Sequence, residues 1–510
     1  MKRMRLRCGT ACALAFVFVL PPAAHAAGRI SAKQVAADLR AGRPVIRENV
    51  VVRGRLDLST VDTVARVFEC HACSFEGDVV ASNVTFARTI DLSGSRFAGS
   101  VNFRGANFNA PALFRAVDAP GADVFDRPQK CVQQPLPACF EGRVDFSLAV
   151  FHDLASLDGS MFRKPAEFRD TRFTDATFNS TAFVAAAFDG AAFRGGALFN
   201  TAVLNGKASF SEADFRGHTD FSLAHFNGGA DFSGAQLAQG ASFFAAQFKD
   251  APRSGTAARF QGATAGGDLN FTFAYFAPAG DRDVTANFAD FVSGAALVLR
   301  DLDEPEHFRF RMDRLQVRDL RMDVNDIQKV DAETDENRTL YQTRAYTTLE
   351  ASAKDRGDLA EANDAHYALQ VLKSKHYSTV GRMLDYVFYR GIAGYLVRPL
   401  RPLLVLLVLV TLLASIRAFA QASPPVPESG PRRSRRSAAW HGATRRCSDL
   451  VTCFLATFSR VGLRRGADRT ESPSIGQELE PLAYRILLVC ALLGLANSNP
   501  TLRQMVDTLF

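Results

Sequence analysis

Gly229-Ala230-Asp231-Phe232-Ser233-Gly234-Ala235-Gln236-Leu237 carries the pattern that decides the fold. The bulky Phe232 is followed five positions later by Leu237, and a small residue, Ala230 or Ala235, stands two positions before each. The same beat runs outward in both directions. Towards the N-terminus it passes through Phe226, Phe221, Phe215, Phe210, Leu204, Phe199, Phe193, Phe188, Phe183, Phe178, Phe173, Phe168, Phe162, Leu157, Phe151, Phe146 and Phe140. Before an interruption it occupies Phe114, Phe108, Phe103, Phe97, Leu92 and Phe86, and beyond Leu237 it reaches Phe243 and Phe248. Steps of five and six alternate over most of this length, and from Phe168 to Phe193 every step is five.

A helix needs apolar residues three and four apart, and a half-buried strand needs strict alternation, so neither accounts for a beat of five. A coil with four short sides does. Each side turns one large and one small residue inward, and two large residues per side would overfill a narrow, close-packed interior. Ala106, Ala149, Ala176, Ala213, Ala224, Ala235 and Ala246 occupy the small position. The expected core contains Phe97, Phe108, Phe151, Phe173, Phe188, Phe215, Phe221, Phe226, Phe232 and Phe248, each ring contributing about 1.5–3 kcal/mol on full burial. Solenoids of this kind need capped ends.

These positions resemble the motif of the pentapeptide-repeat family: a small residue, a polar one, Leu or Phe, then two variable ones. The resemblance spans roughly residues 51–300. It implies a mainly β fold, a right-handed quadrilateral β-helix with ladders of central phenylalanines. Phe replaces the family's usual central Leu, and the extra residue of each six-residue step is expected at a corner.

Around the repeat the chain divides into further segments. Lys2, Arg3, Arg5 and Arg7 precede an apolar run from Ala11 to Leu20 and a small-residue site at Ala24-His25-Ala26, so 1–26 reads as a cleaved secretory signal. Residues 27–50 read as an N-terminal helical cap, with Ser31 at the helix start. The β-helix is expected over 51–302, with 115–139 and its four prolines as a loop insertion. Export makes disulfides at Cys70/Cys73 and Cys131/Cys139 expected, whereas no second ligand pair supports a metal site. Residues 303–398 read as a helical linker and hairpin, with helices over Glu336–Lys354 and Leu359–Lys375 separated by Asp355-Arg356-Gly357-Asp358.

The run 402–420 is long and apolar enough for a transmembrane helix, and 482–510 reads as a second span and tail. Between them, 421–481 is a basic connector. Eleven arginines from Arg417 to Arg469 place this part of the chain in the cytoplasm by the positive-inside rule. Export of the N-terminal domain to the periplasm demands the same orientation, so the expected location is the inner membrane. The stretches Gly394–Pro402 and Phe454–Phe458 resemble a degenerate form of the two-helix, ion-channel-like module that ends a membrane-anchored subset of the family. No Thr-Val-Gly-Tyr-Gly filter accompanies them.

No phosphate loop, nucleophile elbow, zincin helix or kinase signature occurs. Asp145, Asp214, Asp220 and Asp231 fall where the residue before an inward Phe faces solvent, so they are expected surface residues rather than acid–base pairs. Residues 86–260 carry seventeen Asp/Glu and seventeen Lys/Arg, which is not the single-sign field of a duplex-DNA mimic. The reading is therefore non-enzymatic, with no cofactor, no metal and no specific nucleic acid. The expected partners are the bilayer, anionic lipid at the basic connector, and protein on the periplasmic side. A scaffold or binding module is the first reading, and an ion-channel-like or transport-associated protein is the alternative.

Overall fold

The structure, a computed structural model, describes residues 28–117, 131, 136–249, 255–277, 283–303, 308–386, 404–405 and 407–412. The chain divides into two compact units, Met1–Val184 and Ala185–Phe510. The fold is a mainly β parallel solenoid in both.

In the first unit, strands mostly two residues long pair in parallel with those one coil before and after. Phe97 lies in register with Phe75 and Phe140, and Phe108 with Phe86 and Phe151. The beat becomes a four-sided coil because its corners alternate in kind. Five-residue steps turn tightly: the carbonyl of Phe146 accepts the Ala149 N–H at 3.0 Å, with Leu148 at φ +62° as a type II turn requires. Six-residue steps hold the extra residue at a corner where coils stack backbone on backbone. A Cβ on Gly142 would meet the Gly99 carbonyl oxygen at 2.2 Å, so only glycine fits there. Where a six-residue step faces a five-residue step, the ladder slips. Val150–Ser156 pairs with Arg172–Thr177, and their register shifts between Phe151 and Leu154.

The segment 27–50, expected as an N-terminal helical cap, holds its helix between two strands. Helix α1, Ala32–Arg40, is N-capped by Ser31, whose side chain accepts the Lys33 N–H, and it buries Val35, Ala36 and Leu39. On either side of it, Gly28–Ser31 and Val45–Glu48 already pair with Val50–Arg53 and Phe68–His71. Coil pairing thus begins before residue 51, because Val45 and Val52 supply inward apolar residues without a phenylalanine. The insertion is also shorter than 115–139. The chain leaves through Val117 and returns at Leu136 in an antiparallel bridge, and Cys139 already belongs to a coil strand with Phe140.

In the second unit the coil does not end at 302 as the sequence reading places it. Val284–Asn287 pairs with Phe308–Arg311, Val292–Leu299 with Gln316–Met322, and Phe310–Arg311 with Val330–Asp331. Phe308, Phe310, Leu320, Met322, Ile327 and Val330 are buried, but the intervals between them no longer keep time, which hid these coils from a count of fives and sixes. Helices α2, Asp335–Asp355, and α3, Leu359–Ser374, follow as a hairpin with Gly357 in the left-handed region between them. Thr334 caps α2 and Asp358 caps α3.

Among the described residues no helix is long and apolar enough to cross a membrane. The expected signal (1–26), basic connector (421–481) and second span (482–510) lie outside the described residues, as does most of the first (402–420).

Candidate binding surfaces

The core residues named from sequence are all turned inward. Phe97, Phe108, Phe188, Phe215, Phe221, Phe226, Phe232 and Phe248 have no exposed surface, and Phe151 and Phe173 almost none. Their rings form ladders. Phe108 stacks on Phe151 at 4.5 Å, Phe151 on Phe173 at 5.0 Å, and Phe226 on Phe248 at 5.0 Å. Neighbouring ladders meet edge to face, as Phe221 does with Phe232 at 5.3 Å and 82°. The small inward position also accepts hydroxyls, which pair with carbonyls of the coil. Ser95 donates to the Cys70 carbonyl at 2.6 Å and Thr181 to that of Leu157 at 2.7 Å.

Both expected cysteine pairs are disulfides. Cys70–Cys73 closes a corner with both residues buried, and Cys131–Cys139 ties the insertion to the coil. Glu141 lies beside the second pair, but sulfurs joined to one another do not offer thiolate ligands.

The surface carboxylates are engaged in the coil. Asp145, Asp220 and Asp231 each accept the N–H two residues on, from Ser147, Ser222 and Ser233, at 2.8, 2.8 and 3.1 Å. These are Asx turns that stabilise corners. Asp214 instead accepts from Arg216 Nε at 2.7 Å.

Two features of the second unit escaped the sequence reading. The first is an apolar ridge along one corner. Leu223, Phe244 and Phe273 occupy corner positions on successive coils, with exposures of 42%, 41% and 54%. The Leu223 N–H donates to the Phe244 carbonyl at 2.9 Å, and the Phe244 and Phe273 rings meet edge to face at 5.6 Å. Phe273 sits at φ +59° and Leu223 at +58°, the turn position that Thr201 and Ala245 fill on neighbouring coils of the same corner. The type II corner requires this left-handed position, and there bulky apolar side chains stand in solvent where a glycine or a polar residue would serve the turn as well. The sign was in the sequence: Phe243-Phe244 and Phe271-Thr272-Phe273 put aromatic residues where the motif wants none.

The second feature is the seat of the α2/α3 hairpin. Glu361 of α3 takes Arg300 of the solenoid at 2.7 Å and Arg356 at 2.5 Å, and Arg356 also bonds Asp319. Ser352 of α2 accepts the Leu320 N–H at 2.9 Å, and Gln342 Nε2 donates to the carbonyls of Gln328 and Val330 at 3.2 Å each. Between α2, α3 and the Val324–Gln328 turn lies a cleft of about 570 Å³, which meets a second of about 470 Å³ at Val324, Asn325 and Asp364. Burial pushes the Tyr346 phenol up to about 12. Burial, aided by the Asp323 carboxylate, pushes Asp326 up to about 6, although Lys329 Nζ is 3.1 Å away; burial also lowers Lys329.

A parallel β solenoid with one large and one small inward residue per side is the class this geometry defines. Two stretches of the chain, residues 72–118 and 199–247, match the family described as "Pentapeptide repeats (9 copies)". Seven solved chains are similar, among them HetL, a pentapeptide repeat protein involved in heterocyst differentiation regulation from the cyanobacterium Nostoc sp. strain PCC 7120. It is 18% identical, with 46% of this chain and 86% of HetL covered at a TM-score of 0.15. No curated protein matches the chain.

Proposed function

We propose that the chain is a non-enzymatic scaffold, exported to the periplasm and anchored in the inner membrane by 402–420, whose solenoid binds a protein partner. The observation that carries this reading is the Leu223, Phe244 and Phe273 ridge. Apolar side chains held in solvent along one corner, with Leu223 and Phe273 both in the left-handed region, suit a contact surface better than a stability role. The basic run between Arg417 and Arg469 supports the orientation and a contact with anionic lipid at the cytoplasmic leaflet.

The test is site-specific photocrosslinking in intact cells from a benzophenone amino acid at Phe273. One discrete adduct is expected, and it disappears when Leu223→Ser and Phe244→Ser are added. No adduct at Phe273, or an adduct indifferent to those changes, defeats the ridge as the contact. Impermeant maleimide should label a single cysteine at Gln236 but not at Ser434, in a background whose other unpaired cysteines are replaced. Labelling at Ser434 from outside reverses the topology.

A further inference from the structure

The surface changes character where the hairpin ends. Helix α2 is nearly balanced, with four carboxylates against three cations, and α3 carries two against one. From Lys375 to Arg401, by contrast, five Lys/Arg stand against a single carboxylate, Asp385, which is buried. Four of the nine tyrosines of the chain fall in the same stretch. Cations mixed with tyrosines are the composition of a membrane–water interface.

The local fold turns these groups outward. Ser378 caps a short helix α4, Thr379–Leu384, by accepting the Gly381 N–H at 3.2 Å. Tyr377 lies against that turn, where a Cβ on Gly381 would come within 3.2 Å of the Tyr377 Cβ. Tyr377, Met383 and Tyr386 are 44%, 70% and 68% exposed, and Lys375 and Arg382 stand exposed among them. Exposed apolar side chains are met again at Leu404, Leu407, Val408 and Leu412, within the run read as the anchor.

An interface satisfies both halves of this mixture. Rings and a thioether enter the acyl boundary while lysine and arginine heads stay at the phosphates. The fifteen residues that join Tyr386 to Pro402 contain no carboxylate, so the bilayer that holds the anchor is the apolar, anionic surface always at hand. We propose that Lys375 to Tyr386 form a foot on the anionic bilayer face towards the hairpin, with Met383 and Tyr386 in the headgroup–acyl boundary and Lys375 and Arg382 at lipid phosphates. The foot rests on the anchored reading and deepens it, because it holds the hairpin at the membrane instead of leaving it on a tether.

Tryptophan quenching in the full chain tests it, with the single native tryptophan removed by Trp440→Phe. The protein is reconstituted in vesicles of phosphatidylcholine and phosphatidylglycerol in equal parts, brominated either near the carbonyls or near the chain ends. Met383→Trp should lose most of its emission to bromine near the carbonyls and little to bromine near the chain ends. Leu340→Trp, exposed on α2, should lose none. Lys375→Gln and Arg382→Gln should each lower the docked-to-undocked ratio about 5-fold, the worth of one cation at an anionic surface. Leu407→Trp separates the two readings. If it is unquenched by either lipid the anchor fails, whereas an unquenched Met383→Trp sinks the foot whatever Leu407→Trp reports. Equal quenching at Leu340→Trp, or quenching at Met383→Trp indifferent to both glutamine variants, also overturns it. Emission from Met383→Trp that neither lipid quenches but that is shielded from aqueous iodide would assign the surface to a second copy of the chain instead.

Discussion

The rings of Phe221 and Phe243, one coil apart in the second unit, lie 5.1 Å from centre to centre and 1° from parallel. Phe221→Asp puts a charge in place of that ring, with no cation at hand, and is expected to unfold the unit or cost well over 3 kcal/mol, the scale of a Phe→Ala change. Gln236→Asp, at an exposed position, should change stability by less than about 0.5 kcal/mol. Thermal melts of the two variants decide, and equal losses would show that the inward register is wrong.

Arg356 links α2 to both Asp319 and Glu361, and its side chain is largely covered. Replacing it by Leu leaves two carboxylates facing each other without their shared cation. The hairpin should loosen by about 1–3 kcal/mol while the solenoid holds. Hydrogen exchange should therefore quicken in α2 and α3 and stay unchanged at Phe210–Phe232. Uniform quickening, or none, contradicts the latch.

Asp326 makes the seat of the hairpin sensitive to acid in an unusual sense. Its carboxyl titrates near 6 when folded, against an ordinary value of 3.8, so the folded chain holds a proton that the unfolded chain releases between those values. Its contribution to stability is thus greatest at low pH, declines as pH rises from about 4 to 6, and is level above that. Comparison with Asp326→Asn across this range should show the parent losing stability relative to the variant as pH rises. The opposite slope would mean that Lys329 governs the carboxylate.

Cys70 and Cys73 are only three positions apart, so their bond closes a very short loop. Chain entropy for a loop of that size is worth about 2 kcal/mol. Cys70→Ala with Cys73→Ala should lower the melting temperature by a few degrees and leave the β circular dichroism intact, because the corner is also held by Ser95, which accepts the Cys73 N–H at 3.0 Å. Complete loss of structure would assign the bridge a larger role.

Much of the solenoid was legible because its beat is local: five or six residues suffice to say that Phe151 and Phe173 point the same way. What that beat does not carry is backbone pairing, which needs no phenylalanine. Val45–Glu48 and Gln316–Met322 are coil strands for the partners they meet one turn away, and nothing within either segment announces it. The hairpin helices were visible from their turn, but the cleft beside them was not. Tyr346 and Asp364 become neighbours of one space only when α2 and α3 fold against the Val324–Gln328 turn, a juxtaposition with no period to detect.

The corners have a consequence of their own. Successive coils are separated by one strand spacing, about 4.8 Å, and the turn residues of a corner project outward whatever the interior contains. Leu223, Phe244 and Phe273 are therefore like teeth on a comb of fixed pitch, written in an alphabet separate from that of the ladder beneath. Substitution can retune such an edge tooth by tooth without consulting the core, and a partner that reads it must have matching spacing.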